Sequence, residues 1–405
     1  MLIEIILIIT NHHNTTHRPV SMQKIFINSF DQLNSFCDSV KHSPWLAVDT
    51  EFLRENTYYP VFCLLQVSNG ELSACIDPLQ IDDLSPIKAL LFDANILKIF
   101  HAAFQDMEIF FHEWGDVPSP IFDTQLAATI TGHGDQLGYG RLVEKTLKIT
   151  LEKDQSRTDW SMRPLDEKQL DYAHADVIYL GQVYQKLSGQ LQASGRSDWL
   201  ENEYQRFHSA DTYNINPKAI WQKVKGRQHL KGVQLAVLQS LAAWREEYAI
   251  KSNKPRRWIL KDEVLIDLSR RTPSRIQQLD KIRGLEKGTI KKNGHHLLEL
   301  IRTAKQQPKE EWPTENNRPI RLNPQQEALA DLLTCCLRLA ATENDITPSA
   351  LASRKDLEKL VAGIDGIPLL EGWRYKVAGK LLQDVINKKL LPGWDRNGKL
   401  TLIQE

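Results

Sequence analysis

The stretch "WLAVDTEFLRENTYYPVFCLLQVS", Trp45 to Ser68, decides how the rest of the chain is read. Its first eight residues have the character of a strand entering a core, yet Asp49 and Glu51 lie inside the run. Burying a carboxylate is costly unless it is paired or coordinates a cation. Side chains on a strand alternate faces, so Asp49 and Glu51 point the same way and Thr50 the opposite way. Two acids on one face suit a hard divalent cation, which prefers oxygen ligands. The plainer alternative is an exposed Asp-x-Glu on a sheet rim.

Working outward, "KIFIN" (Lys24–Asn28) reads as a short strand, and Ser29 as the cap of a helix with Leu33, Phe36, Cys37 and Val40 on one face. Apolar runs at Leu46–Phe52, Val61–Val67 and Leu72–Ile76 predict strands, the last two joined as a hairpin by "SNG". Ile96–Phe100 is a further strand, and helical spacing dominates from Asp106. Residues 22–205 are thus expected to form a mixed sheet with helices packed on it.

The remainder reads as all-helical and contains a diverged repeat. Ile282–Ile301 and Ile364–Ile386 share Ile-x-Gly, then a second glycine, a Leu-Leu pair and a closing Ile. Two helical domains, 215–305 and 320–400, with the polar, proline-bearing segment 306–319 as linker, are the simplest account. Residues 1–21 are set aside as an extension outside the fold. Their apolar run of about nine residues falls far short of the roughly 20 that span a bilayer, so no membrane partner is expected.

The 405 residues are 41% hydrophobic and 25% charged, ordinary for a soluble globular chain. Net charge is zero but unevenly spread: residues 218–305 hold 21 Lys and Arg against 8 Asp and Glu. An acidic part beside a basic one fits an enzyme acting on a polyanion, and equally a bland solvated surface. Five cysteines without a Cys-x-x-Cys indicate neither a disulfide framework nor a zinc site, and a reducing cytoplasm fits best. Nothing demands an oligomer, so a monomer is expected.

Two further patterns bear on the acids of the strand. "FHAAFQDMEIF" (Phe100–Phe110) places Asp106 just after a strand, where it either caps a helix or faces a ligand above the sheet edge. "LDEKQLDYAHADVIYL" (Leu165–Leu180) is an amphipathic helix with Asp166 as cap and Gln169 as its capping-box partner. Within it Tyr172 and Asp176 lie four apart, stacked on one face. Four acids and a tyrosine from a strand, a helix start and a helix suit phosphodiester cleavage, in which two divalent ions activate water and stabilise the leaving oxygen. The tyrosine hydroxyl, with a pKa near 10, would orient that water rather than deprotonate it.

"DTEF", "HAAFQDMEIF" and "YAHAD" resemble the three exonuclease motifs of the DEDD superfamily in its tyrosine branch. The histidine branch places His five residues before the last Asp, where this chain has Asp171. "TYYPVFCLLQVS", "RTDWSMRPLDEKQLDYAHADVIYL", "KAIWQKVKGR" and "WREEYA" are similar to the ribonuclease D family, and the two repeats resemble HRDC domains. The resemblance spans roughly residues 22–390. It implies an RNase H-like α/β exonuclease domain followed by two all-α HRDC-type domains. It further implies release of 5′-mononucleotides from RNA 3′ ends, precursor tRNA among them, with two Mg²⁺ or Mn²⁺ ions. Asp49, Glu51, Asp106 and Asp176 then become the metal ligands and Tyr172 the water-orienting residue. Asp123 is expected to cap a helix or support the ligands, and His101 to pack locally.

Candidate substrate contacts are Phe52 for the terminal base, with a core role as its alternative, Arg163 for a phosphate, with packing at the helix start as its alternative, and Arg256, Arg257, Arg270 and Arg271 on the basic helical repeat. Trp258 either stacks on a base or joins a core. Two rivals stay open: a DNA-directed proofreading or repair exonuclease on the same fold, and a catalytically silent nucleic-acid adaptor. Deleting residues from about 215 onward is expected to weaken binding to structured RNA and flatten its salt dependence, measured by filter binding, while trimming of a short single strand survives.

Overall fold

The computed structural model describes residues 22–151, 158–314 and 320–404. The segment 1–21, and Arg157 of the quoted motif, lie outside the described residues. The chain forms two compact units. One comprises the residues up to Phe52, Phe62–Ser209 and Ile320 onward; the other comprises Leu53–Val61 and Ala210–Pro319.

The first unit is built on six strands: β1 Gln23–Ile27, β2 Trp45–Leu53, β3 Val61–Ser68, β4 Leu72–Ile76, β5 Leu97–Phe100 and β6 Ile121–Asp123. Their order across the sheet is β1-β4-β3-β2-β5-β6. β4 runs parallel to β1 and antiparallel to β3, and β5 runs parallel to both β2 and β6. The expected hairpin after β3 forms because Asn69 Oδ1 accepts the N–H groups of Glu71 and Leu72, at 3.0 and 2.9 Å. Gly70 beside it takes the left-handed conformation, φ 92°, that a side chain would resist. β6 is only three residues long, too short for its apolar pattern to register.

The helix Phe30–Val40 starts after Ser29 and buries Leu33, Phe36, Cys37 and Val40, as its spacing predicts. The long helix Glu167–Ala193 opens on a complete capping box: Gln169 N–H donates to Asp166 and Asp166 N–H to the Gln169 side chain, both at 2.8 Å. Val177, Leu180 and Tyr184 then pack on Trp45, Ala47 and Ile99 of the sheet. Close approach is possible because residue 181 is glycine. A Cβ there would sit 2.6 Å from the Trp45 ring.

Residues 320–400, set apart by sequence as an all-α domain, depart from that expectation twice. Leu333, Leu337, Leu369 and Leu382 share one hydrophobic core with Leu180, Leu187 and Leu191 of the long helix. The chain also ends in an antiparallel hairpin, β7 Leu390–Trp394 with β8 Leu400–Gln404. Its signal was present: apolar runs flank Asn397-Gly398, a favoured hairpin turn. A stacked series of side chains secures this region. Arg196 lies over Trp199 at 5.0 Å, Trp199 stacks on Trp373 at 5.7 Å, and Arg374 covers Trp373 at 4.5 Å. Glu203 closes the series, accepting from Trp373 Nε1 at 3.2 Å and pairing with Arg374.

In the second unit the helices Val233–Ser252, Asp262–Arg271 and Lys287–Gln306 surround Trp221, Leu238, Leu241, Leu265 and Leu297. The glycines of the repeat have a common reason. A Cβ at Gly294 would press on the Ile276 and Leu279 side chains at 3.1 and 3.3 Å, and one at Gly379 in the other copy would collide with the Leu369 carbonyl, so the first position is tight and the second has no room for a side chain.

Glu203→Ala is expected to destabilise the first unit by about 3 kcal/mol, the low end for breaking a buried ion pair because Arg374 is partly exposed. Burial opposes the Glu203 charge, but Arg374, Arg206 and Trp373 outweigh it and hold the carboxyl below its ordinary 4.5. A lowered carboxyl contributes stability above about pH 4.5 that is lost as pH falls through the lowered value. Urea melts at pH 7 and pH 3.5 check this: the variant's deficit is expected to shrink at the lower pH.

Candidate active site

β2 places Asp49 and Glu51 on one face, and the helix Glu167–Ala193 brings Asp176 to them. One carboxylate oxygen from each lies within 4.8 Å of the others. Asp106 lies outside this set but close enough to repel Asp49 and Glu51, and the Thr50 hydroxyl donates to its Oδ1 at 2.6 Å. Asp106 is not the helix cap that sequence offered as an alternative. Ala103 holds that position, and Asp106 sits within the first turn of Phe104–Trp114. Tyr172, one turn before Asp176, donates its hydroxyl to the Asp176 carboxylate.

The electrostatics follow from burial. Desolvation pushes the carboxyls of Asp49, Glu51, Asp106 and Asp176 above the ordinary carboxylate range, and mutual repulsion adds to it at the last three. All four cannot ionise together without a positive counter-charge. Such a set of crowded oxygens without nitrogen or sulfur fits a hard divalent cation and not zinc or a soft metal. Burial and the same carboxylates raise the Tyr172 hydroxyl further above its usual value. At neutral pH it stays protonated.

Other side chains fix this arrangement. Tyr139 donates to the backbone carbonyls of Asp176 at 2.6 Å and Ala175 at 3.2 Å. The buried Trp160 ring lies 6.1 Å from Tyr172. Asp123 caps Thr124–Ile130 through Gln125 and Leu126, and also accepts from Ala102 and Ala103 ahead of the Asp106 helix. His101 meets Thr124 Oγ1 at 3.0 Å, a local packing role. His174 faces the sheet, 2.7 Å from Ser73 Oγ, and burial pushes its ring down to about 4. Asp171 stands away from the acids, paired with Lys24 at 2.6 Å. Thr50, Tyr139 and Trp160 were not singled out from sequence. Alternation gave Thr50 its face, but no sequence signal gave it Asp106 as partner.

The expected phosphate contacts are corrected in part. Arg163 is used internally: Nε and Nη2 hold buried Asp77 at 2.5 and 2.8 Å, and the guanidinium also donates to the carbonyls of Cys63, Trp160 and Met162. Arg256 pairs with buried Glu246 at 2.8 Å, and Arg271 pairs with Asp267 at 2.8 Å. Arg257 and Arg270 are exposed, and so is Trp258, which belongs to no core. Phe52 is half-buried.

Residues 25–192 match the family model for a 3′-5′ exonuclease, and residues 234–301 match the HRDC domain. The fold and the acid cluster therefore define a 3′→5′ exonuclease, of a class that depends on divalent metal. The chain is 39% identical to ribonuclease D of Sphingobium indicum over 91% of its own length and 96% of that protein. It is 40% identical to ribonuclease D of Zymomonas mobilis over 88% and 93%. The crystal structure of Escherichia coli RNase D, an exoribonuclease involved in structured RNA processing, superposes with a TM-score of 0.80 at 32% identity, covering 90% of this chain and 99% of that one. This chain belongs to the ribonuclease D family and is a 3′→5′ exoribonuclease. Among the described residues no helix is long and apolar enough to cross a membrane.

Thr50→Val keeps the shape of the side chain and removes the hydroxyl that holds Asp106. It is expected to weaken Mn²⁺ binding by roughly 10- to 100-fold, as loss of an outer partner does. Calorimetric Mn²⁺ titration of the full chain checks this, with the melting temperature as control.

Proposed function

We propose that Asp49, Glu51, Asp106 and Asp176 hold two divalent cations, Mg²⁺ or Mn²⁺, and that Tyr172 orients the water that attacks the terminal phosphodiester. The observation that carries this reading is the convergence of Asp49, Glu51 and Asp176 oxygens within 4.8 Å in a half-buried, mutually repelling group. Bound cations supply an activated water and charge stabilisation for the leaving oxygen. Asp106, held on one oxygen by Thr50 and repelled by Asp49, is the fourth acid of the set. Tyr172, protonated and anchored on Asp176, aligns the nucleophile in line with the scissile bond without accepting its proton.

The substrates are RNAs with free 3′ ends, precursor tRNA and other structured RNA among them, bound with help from the basic helical unit. The reading is supported by the HRDC match, a nucleic-acid-binding class of domain, and by the cation excess of residues 218–305. Exposed Arg257 and Arg270 are the favoured phosphate contacts there, with Trp258 as a stacking surface. The enzyme acts as a monomer in the cytoplasm, a reducing setting in keeping with five cysteines that form no disulfide.

Asp176→Asn is expected to lower mononucleotide release from a 3′-labelled RNA by more than about 100-fold, beyond what loss of an outer partner costs. Tyr172→Phe is expected to lower it by roughly 100-fold or more with little change in KM. Wild-type turnover in Asp176→Asn would overturn the assignment. A crystal soaked in Mn²⁺ is expected to show two anomalous peaks over Asp49.

A further inference from the structure

The connection from β2 to β3, Leu53–Val61, groups with the helical unit rather than with the strands it joins. A small polar network accounts for this. Glu246, midway along the helix Val233–Ser252, is completely buried. Its Oε1 accepts from the Tyr58 hydroxyl at 2.5 Å and from Arg256 Nη2 at 2.8 Å. The Arg256 guanidinium also lies 5.9 Å from the centre of the Tyr58 ring. Asn253 closes the same helix in the left-handed conformation, φ 46°. Its Oδ1 accepts the backbone N–H of Tyr58 at 3.0 Å and of Tyr59 at 3.2 Å.

A buried carboxylate is tolerated only when partners replace water around it. Here one partner comes from the strand connection and the other from the turn after the helix. "TYYP", "WREEYA" and "KSNKPRRW", separate stretches in the sequence, thereby meet at one point. Each bond would be absent from a connection left in solvent, so the helical unit holds the connection at Tyr58 and Tyr59. That path begins directly after Glu51 and Phe52, at the end of β2.

We infer that Tyr58, Glu246 and Asn253 are positioning residues for the exonuclease reaction: by ordering the connection after β2 they hold the strand end that carries Glu51 and Phe52. The inference rests on the proposed role of Glu51 as a cation ligand. An error in placing Glu51 of about 1 Å is enough to slow the chemical step by as much as 100-fold. Removing residues from about 215 onward strips Tyr58 of its partners and also takes away the part of the catalytic unit's core that residues 320–404 supply, so trimming of even a short strand is expected to slow, against the expectation from sequence.

The test uses the full chain and a five-nucleotide single-stranded RNA at saturating Mn²⁺, well below the melting temperature. Asn253→Gly keeps the left-handed backbone but removes the acceptor, and Asn253→Asp keeps both. Asn253→Gly is expected to lower kcat about tenfold with KM nearly unchanged, and Asn253→Asp to restore it. Tyr58→Phe, which keeps the ring over Arg256, is expected to follow Asn253→Gly and carries the test if that variant does not fold. A kcat within twofold of wild type in the variants, even with a lowered melting temperature, would reduce the network to a structural role and overturn the inference. A rise in KM alone would also overturn it, by making the connection a substrate contact. Asp176→Asn separates the two readings: full activity there removes the metal-site assignment, whereas its loss beside an unaffected Asn253→Gly removes only the positioning role.

Discussion

Crowding of like charge at the end of β2 is the constraint on which the rest of this structure depends. Asp49 and Glu51 are placed on one face by strand alternation, and Asp176 is driven against them by the packing of a 27-residue helix. Each carboxylate has given up much of its hydration, and each raises the free energy of ionising its neighbours. A protein built for stability alone would place apolar groups there. Retention of the acids despite that cost is what a site for a positive partner requires, in keeping with the divalent-metal dependence of this class of exonuclease.

Holding repelling groups together requires rigid support, and the structure supplies it from several directions. Thr50 holds Asp106, Tyr139 holds the backbone of the helix at Asp176, and Trp160 backs Tyr172. Asp123 draws together the start of one helix and the turn that leads into the next. None of these groups need touch a substrate. Their work is geometric.

The local patterns were legible in the sequence. Period-two alternation gave β2 and the shared face of its acids, and the Asp166–Gln169 box and four-residue spacing gave the helix that carries Tyr172 and Asp176. The long-range pairings were not. A guanidinium that binds phosphate and one that binds a buried carboxylate look alike in one dimension, so Arg163 and Arg256 read as substrate contacts although they serve Asp77 and Glu246. Core membership of Leu333 and Leu382 depends on what the long helix presents to them, which no periodicity within residues 320–400 records. β6 was too short to signal itself, and the terminal hairpin had its turn signal but stood in a region dominated by helical spacing.

The shared core of the first unit carries a consequence for the order of events during synthesis. Residues 62–209 and 320–404 complete one another, yet the ribosome makes more than a hundred residues of the other unit between them. The helical unit therefore has its own later sequence in hand while the sheet still waits for its last partners. The Trp199–Trp373 stack joins the two stretches of the first unit, so it closes only after the intervening unit has been made.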